Sequence, residues 1–415
     1  MPALPPPVLV SCQSKSRAQR LHGILPRQGF SRTTGLTEWR RINLHILRSR
    51  CLIHLSFTLR LGRWLTFDVL ACKYVPSYAQ VGLPILPELG SPKQFELLHE
   101  WVRRCDRTHT CLPHQDGSNL AGKMPTRVIE VGDHHMRLVE TRNGIKGKYI
   151  ALSHCWGNLT KEERFCTYAH NIDVLKRTIP FNSLPASFQD AVRVTRALGV
   201  PYLWIDSLCV IQEDEEDWKS EATKMEDVFS SAYLTIAASS AASSLDGFLG
   251  NRTPRVWADI PTTRGRLYLA EAIDDFDRDV EQSVLNTRGW VLQERALSRR
   301  TIFFTSTQLY WECGQGIVCE TLARLSNPQT QHLGDPNFPH SSPITYKDQR
   351  VRLIQHIYQL FSKLQLTDAT DRPKAISGLQ SRLANTFQFR ADYGVHWQYP
   401  ERTLLWQSEI PGSLS

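Results

Sequence analysis

The chain of 415 residues lacks a long uninterrupted apolar segment. A membrane-spanning helix needs roughly 20 consecutive apolar residues, and the most apolar N-terminal stretch is broken by Arg48, Arg50, Arg60 and Arg63. Residues 1–10 are rich in proline and lack the basic segment and apolar core of a secretory signal. We therefore predict no integral membrane segment, a cytoplasmic location and reduced thiols for the ten cysteines.

Acidic residues are scarce in the first 90 positions. Twelve Lys and Arg stand there against Glu38, Asp68 and Glu88, whereas residues 91–415 hold 37 basic and 38 acidic residues. The formal charge of +8 therefore lies in region 1–90, and the neutral remainder argues against a surface that follows nucleic-acid phosphates. No nucleic-acid partner is expected. We interpret region 1–90 as a disordered arm, a solvated helical segment or a mispredicted start. These three interpretations together are preferred to a mitochondrial transit peptide.

The common catalytic signatures are also missing. The chain has no Gly-rich phosphate loop, no Ser-His-Asp series of recognisable spacing and no H-E-x-x-H pair. Because those motifs position the reacting groups of kinases, serine hydrolases and zinc proteases, these classes are excluded.

A metal site is not expected from the cysteine spacing. Cys105, His109 and Cys111 are metal-type ligands close together in sequence. A structural zinc site needs four ligands, commonly with paired cysteines, and His114 is a weak fourth. The spacing therefore favours cysteines that pack in the core over a zinc site.

The centre of the chain alternates short apolar runs with amphipathic helices. Buried strands are predicted at residues 149–152, 202–205 and 233–238. One helix ends near Gly199, and a second is predicted from the acidic cluster at 213–217 to Ala232. Strands that alternate with helices through short connections indicate an α/β fold with a parallel sheet.

Additional segments flank this centre. A lead-in helix and a hairpin are predicted within 91–148, and an insertion with a small strand pair interrupts the domain at about 245–285. A short helix and a fourth strand complete the domain, which we bound at 149–313. Residues 314–415 follow as a C-terminal extension.

Polar and aromatic residues follow the predicted strands. Ser153, His154 and Trp156 come after the first strand and Asp206 after the second, while serines follow the third. Because ligands bind beyond the carboxyl ends of parallel strands, these residues are candidates for a binding crevice. In the alternative interpretation they satisfy backbone groups at strand ends, and the tryptophans belong to the core.

Three sequence blocks resemble the signature blocks of the fungal heterokaryon incompatibility (HET) domain. They read Tyr-Ile-Ala-Leu-Ser-His-Cys-Trp-Gly from Tyr149, Leu-Trp-Ile-Asp-Ser-Leu-Cys-Val-Ile-Gln from Leu203 and Arg-Gly-Trp-Val-Leu-Gln-Glu from Arg288. Their order and spacing match, as do Asp217-Trp218, Glu221 and Trp311-Glu312-Cys313. The resemblance extends over about residues 95–406 and implies that the C-terminal extension is helical.

The resemblance implies a role in fungal nonself recognition and programmed cell death signalling. It also implies a fold similar to Toll/interleukin-1 receptor (TIR) domains, with a parallel sheet flanked by helices. The favoured interpretation is a noncatalytic module that self-associates or binds another incompatibility protein. In that case Glu294 would pair with Arg288 or Arg295, and the tryptophans would pack.

An enzymatic alternative follows from the same resemblance. Some TIR domains cleave the N-glycosidic bond of NAD with a Glu placed four residues after a Trp, and Trp290 and Glu294 have this spacing. Glu294 would then be catalytic. The residues that bind the ligand would be Ser153, His154, Trp156, Asp206 and Trp290. NAD would be the substrate, and no cofactor or metal would be required.

Overall fold

The computed structural model describes residues 20–23, 42–49, 52–58, 64–71, 83–111, 123–133, 135–250, 252–262, 265–325, 338, 347–392, 395–397 and 400–403. Contacts among them define two compact units. One comprises Met1–Ile85 with Arg255–Ala272, and the other comprises Leu86–Pro254 with Ile273–Ser415.

The strands, in chain order, are β1 (Arg20–Gly23), β2 (Ile42–Ser49), β3 (Leu52–Thr58), β4 (Trp64–Ala71), β5 (Arg127–Val131), β6 (Met136–Glu140), β7 (Tyr149–Ser153), β8 (Tyr202–Trp204), β9 (Leu234–Ala237), β10 (Trp257–Thr262), β11 (Gly265–Glu271), β12 (Arg300–Phe304), β13 (Leu309–Cys313), β14 (Gly316–Cys319), β15 (Arg324–Leu325), β16 (Ala391–Asp392) and β17 (Val395–His396).

The α-helices are α1 (Pro92–Thr108), α2 (Ile172–Arg177), α3 (Ala186–Ala197), α4 (Asp206–Cys209), α5 (Glu215–Ala222), α6 (Met225–Ser231), α7 (Gly289–Leu297), α8 (Lys347–Ser362), α9 (Arg372–Ala375), α10 (Ser377–Phe387) and α11 (Pro400–Thr403). Within the described ranges, no helix combines the length and the apolar character that a bilayer span demands.

The first unit is an antiparallel sheet in the order β1-β2-β3-β4-β11-β10. Strands β1 to β4 lie within region 1–90, for which disorder, a solvated helix or a mispredicted start was expected. The strand pair predicted inside the insertion corresponds to β10 and β11, and β11 pairs with β4 in the register Leu267↔Ala71.

The second unit is built on a nine-stranded sheet in the order β15-β14-β13-β12-β9-β7-β8-β5-β6. Its four central strands, β12, β9, β7 and β8, are parallel, which confirms the predicted α/β core. The sheet as a whole is mixed, because the strands at both edges pair antiparallel. Only a few residues separate β12 from β13 and β5 from β6, and connections this short permit only antiparallel pairing.

The strand order determines where a ligand could bind. Across the sheet the four parallel strands lie in the order β8, β7, β9 and β12. The first of them in the chain, β7, therefore lies between the second, β8, and the third, β9. This is a doubly wound order in which ligands bind outside the carboxyl ends of the strands, at the point where the chain changes direction across the sheet. That point lies between the ends of β7 and β9, at Ser153 and Ala237.

The helix predicted from the acidic cluster to Ala232 is wrong as a single element. It divides into α5 and α6, with a tight turn at Thr223 and Lys224 between them. The amide of Lys224 donates to the carbonyl of Glu221 at 2.9 Å, a three-residue spacing that tightens the helix. Asp214 caps α5 by accepting from the amides of Glu216 and Asp217, as the acidic start of a helix predicts.

The C-terminal extension contains helices α8 to α11 and packs against α7. The amide of Gly378 donates to the side chain of Gln293 at 2.9 Å, and Arg382 pairs with Glu226 at 2.8 Å. The extension therefore supports α7, the helix that contains Glu294.

Candidate functional site

Helix α7 directs Trp290 and Glu294 to one face, since residues four apart are neighbours on a helix. The helix begins at Gly289, whose amide donates to the carbonyl of Gln365 at 2.7 Å. A Cβ atom at Gly289 would lie 2.7 Å from Cδ2 of Leu366. A larger residue at this position would therefore require the side chain of Leu366 to move where the chain of the extension crosses the start of α7.

The carboxyl group of Glu294 is buried, and its Oε2 atom has no hydrogen-bond partner among the described residues. The pKa of this carboxyl is raised to about 7, mainly by burial and also by the charge of Asp206, while the nearby Ser153 hydroxyl and the charge of Arg288 oppose the shift. A buried charge without a partner is costly. Glu294 is therefore poised to change its protonation state near neutral pH.

Polar atoms without partners gather at the carboxyl ends of the central strands. Ser153 is the last residue of β7 and His154 follows it, while Ser207 follows β8 and Ser239 follows β9. Their atoms Ser153 Oγ, His154 Nε2, Ser207 Oγ and Ser239 Oγ are buried without a hydrogen bond to the described residues. Such groups in folded proteins usually bind water, an ion or a ligand. Together with Glu294 they leave several buried polar atoms without hydrogen bonds at the carboxyl ends of the central strands.

Asp206 organises the neighbouring side chains. Its Oδ2 atom accepts a hydrogen bond from the indole of Trp156 at 2.8 Å, and Oδ1 accepts from the amide of Ser207 at 2.7 Å. His154 Nδ1 lies 3.8 Å from Oδ1 of Asp206. Burial lowers the pKa of His154, so its imidazole is neutral at physiological pH.

A cavity of about 590 Å³ opens above this edge of the sheet. Its aromatic lining consists of Trp156, Trp204, Trp218 and Trp290, and its charged lining comprises Arg164, Asp206, Arg288, Glu294, Asp368 and Asp371. The size lies within the usual range for small-molecule sites. Flat aromatic faces next to both arginines and carboxylates suit a ligand with rings, anionic groups and hydroxyls.

The structure brings together most of the residues singled out in the sequence. His154, Trp156, Asp206, Trp290 and Glu294 line the cavity. Ser153 lies beside Glu294 and affects its pKa. The six candidate residues therefore belong to one region, whichever function they have.

Sequence reasoning missed several cavity residues. Arg164 lies in the loop after β7, with its guanidinium 5.9 Å from the ring of Trp156. Asp368 and Asp371 come from the C-terminal extension. The sequence predicts Arg288 only as an ion-pair partner, although it lies immediately before the Gly289-Trp290 pair and lines the cavity.

The expected pairing of Glu294 with Arg295 is wrong. Arg295 instead pairs with Glu281 at 2.7 Å and with Glu312 at 3.4 Å. Trp204 is almost fully buried and packs edge-on against Phe229, so most of its ring belongs to the core.

Other residues of the matching blocks have structural roles. Asp217 binds the guanidinium of Arg127 at 2.7 Å, and Glu221 accepts a hydrogen bond from Thr126 at 2.8 Å. These contacts join α5 to the hairpin of β5 and β6 at a distance from Glu294 along the chain. Asp217 and Glu221 therefore stabilise the fold through these contacts.

Comparisons with known proteins agree with the sequence resemblance. Residues 149–294 match the family model described as Heterokaryon incompatibility protein (HET). The chain is 32% identical over 95 residues to Heterokaryon incompatibility protein 6, OR allele, of Neurospora crassa, a match that covers 21% of this chain and 14% of that relative. No solved structure matches the chain. Most of the candidate site, including Ser153, Asp206 and Glu294, thus lies within residues 149–294, the segment that matches the HET family model.

Proposed function

We propose that this chain acts in a fungal incompatibility-type response and that its HET domain cleaves the N-glycosidic bond of a dinucleotide such as NAD, with Glu294 as the catalytic carboxylate. The family match and the name of the Neurospora relative support the incompatibility role. The observation that carries the chemistry is a buried carboxyl, without a partner at Oε2 and with a pKa of about 7, facing a cavity.

Burying the carboxylate of Glu294 without a partner lowers the stability of the fold. Structural carboxylates in protein interiors are normally satisfied by cations or N–H donors. A strongly shifted carboxyl in a cavity is more typical of a functional site. Catalysis gives a physical reason for keeping this group unsatisfied until a ligand arrives.

The cavity lining supports a nucleotide as the ligand class. The Trp156 and Trp290 rings offer faces for a base or a nicotinamide ring, and Arg164 and Arg288 offer charge for phosphates. Asp206 can accept from a ribose hydroxyl with lone pairs that Trp156 and Ser207 leave available. NAD itself is proposed from the resemblance to TIR domains.

The proposed reaction needs no redox step. The bond between ribose C1′ and the nicotinamide nitrogen breaks, and its electron pair remains on that nitrogen, so nicotinamide leaves neutral. The ionised Glu294 stabilises the positive charge that develops on the ribose. A water oxygen then bonds to C1′, and Glu294 accepts the proton that the water loses before passing it to solvent.

A noncatalytic module that self-associates, or binds another incompatibility protein, is the second candidate. The observation that favours it is that motif side chains satisfy one another within the fold, as Trp156 does with Asp206 and Arg127 does with Asp217. In this case the three sequence blocks would maintain a surface for assembly.

One set of measurements on the purified full chain distinguishes the two candidate functions. Nicotinamide release from NAD is followed for the wild type, Glu294→Gln and Glu162→Gln, whose replaced carboxyl is exposed outside the cavity. The enzymatic proposal predicts release by the wild type and Glu162→Gln and at least a hundredfold less by Glu294→Gln. Equal release by all three would overturn the role of Glu294. Concentration-dependent assembly without release would favour the noncatalytic module.

A further inference from the structure

Four metal-type ligands converge outside the segment that matches the HET family. The sulfurs of Cys105, Cys111 and Cys313 and a ring nitrogen of His109 all lie within 4.8 Å of one another. The three cysteines are buried and His109 is half-buried. None of these residues belongs to the catalytic proposal for Glu294.

The fold supplies the fourth donor that the local spacing lacks. Cys105 lies in the last turn of α1, and the chain leaves the helix in an extended conformation at His109, which leads to Cys111. Cys313 ends β13, more than 200 positions later in sequence, and its sulfur lies 3.5 Å from His109 Nδ1. His114, considered from the sequence, lies outside the described residues.

The dimensions of the cluster approach those of a tetrahedral zinc site. With Zn–S bonds of about 2.3 Å and a Zn–N bond of about 2.0 Å, the donors of a tetrahedral ion stand roughly 3.5–3.8 Å apart. The four donors therefore need to approach one another by roughly 1.0–1.3 Å at most to reach coordinating positions. Side-chain rotation within the cluster provides movements of that size.

The surroundings of Cys313 suit a metal-bound thiolate. The backbone N–H of Gln315 and the indole of Trp311 lie near its sulfur. N–H donors of this kind disperse the negative charge of a coordinated sulfur and orient it toward the ion.

The remaining buried cysteines provide a contrast within the same unit. Cys155, Cys166, Cys209 and Cys319 are also buried, but among the described residues only Cys105, His109, Cys111 and Cys313 form a group of three or more metal-type ligands. Isolated buried cysteines behave as small apolar side chains. Three cysteines and a histidine meeting at one point require a different explanation.

We propose that Cys105, His109, Cys111 and Cys313 bind one structural Zn²⁺ ion. Four protein ligands complete a tetrahedron and leave no open position for chemistry, so the ion stabilises the fold. It links the end of α1 to the end of β13 and thereby fastens the lead-in segment to the sheet. Binding releases the protons of the three thiols.

Metal content of the full chain tests this proposal. After expression with zinc present and removal of free metal, the wild type and Cys166→Ser are expected to contain one zinc per chain. Cys313→Ser and His109→Ala are expected to lose metal or to bind it at least tenfold more weakly. His109→Cys, which restores four ligands, is expected to retain it.

Cobalt binding by the wild type keeps the test decisive if a variant fails to fold. Apo protein titrated with Co²⁺ is expected to develop thiolate-to-cobalt charge-transfer absorption and the visible bands of a tetrahedral ion, saturating at one equivalent. Wild-type protein that holds no zinc and gives no such absorption would overturn the proposal. A disulfide between Cys105 and Cys111 in the freshly purified protein, together with that result, would assign the cluster to redox chemistry instead.

Discussion

Glu294 and Glu320 are both buried in the unit of the nine-stranded sheet, yet only Glu320 is fully surrounded by donors. The carboxylate of Glu320 accepts from Arg252 at 2.7 Å and from the amide of Leu309 at 3.0 Å. Oε2 of Glu294 has no partner among the described residues and faces the cavity. Glu320 stabilises its surroundings, whereas Oε2 of Glu294 lacks a partner that a bound ligand or a proton would supply.

The substitution Glu294→Gln is expected to stabilise the fold above neutral pH. The pKa of Glu294 is about 7 in the folded chain against an ordinary value of 4.5. The stability that its proton contributes is complete below about pH 4.5 and is lost as the pH rises through about 7, because the unfolded chain ionises first. At about 1.4 kcal/mol per pKa unit, the variant should gain up to about 3 kcal/mol near pH 8 and little near pH 4.5.

Denaturant unfolding at the two pH values measures this difference. Glu320→Gln is the matched control and should lose stability at both, because it weakens a buried ion pair with Arg252. A Glu294→Gln protein that is less stable than the wild type near pH 8 would show that Glu294 has a structural role.

Removing the negative charge of Asp206 and removing the positive charge of Arg288 are expected to shift the pH profile of NAD cleavage in opposite directions. The charge of Asp206 raises the pKa of Glu294 and that of Arg288 lowers it. Asp206→Asn should therefore move the midpoint for ionisation of Glu294 to lower pH, and Arg288→Gln should move it to higher pH. The measurement is the pH dependence of kcat/KM for each variant, and shifts in the same direction would contradict this electrostatic arrangement.

The substitution Gly157→Ala is expected to be more destabilising than Gly199→Ala. Both glycines have positive φ, at +87° and +65°, so each alanine carries a backbone strain of about 1 kcal/mol. A Cβ at Gly157 would also lie 2.5 Å from the hydroxyl of Ser243, whereas nothing lies within 4 Å at Gly199. We expect losses of about 2–4 kcal/mol at Gly157 and about 1 kcal/mol at Gly199 in the free energy of unfolding. Equal losses would show that the contact with Ser243 is unimportant.

Breaking the pair between Arg127 and Asp217 is expected to destabilise the sheet unit without altering ligand chemistry. Both side chains are largely buried, and Arg127 also donates to the carbonyl of Cys209 at 2.7 Å. Asp217→Asn should cost about 3–5 kcal/mol, because it leaves a buried guanidinium without its counter-charge. Thermal unfolding measures the loss. Adding Arg127→Met to Asp217→Asn should restore part of it, and a strictly additive double variant would contradict the pairing.

The strand ends could be predicted from sequence because periodicity identifies β7, β8 and β9, and parallel strands end at a common edge. Ser153, His154 and Asp206 were located in this way. Arg164 and Asp371 could not be, since their positions depend on how a loop and the C-terminal extension pack against that edge.

The mixed character of the sheet and the cluster of Cys105, His109, Cys111 and Cys313 also could not be predicted from the sequence. Hydrophobic pattern does not distinguish a hairpin that stands apart from one that joins a sheet edge, as β5 and β6 do beside β8. Cys313 carries no local signal that relates it to Cys105, because only the tertiary fold brings α1 to the end of β13.

The most direct test of the central claim is regulated expression of the full chain in a fungal host, as wild type, Glu294→Gln and Glu162→Gln at matched abundance. Growth and cellular NAD are measured after induction. We predict that the wild type and Glu162→Gln arrest growth as NAD falls, and that Glu294→Gln does neither. Growth arrest by Glu294→Gln equal to that of the wild type, with NAD unchanged in both, would contradict a catalytic role for the cavity.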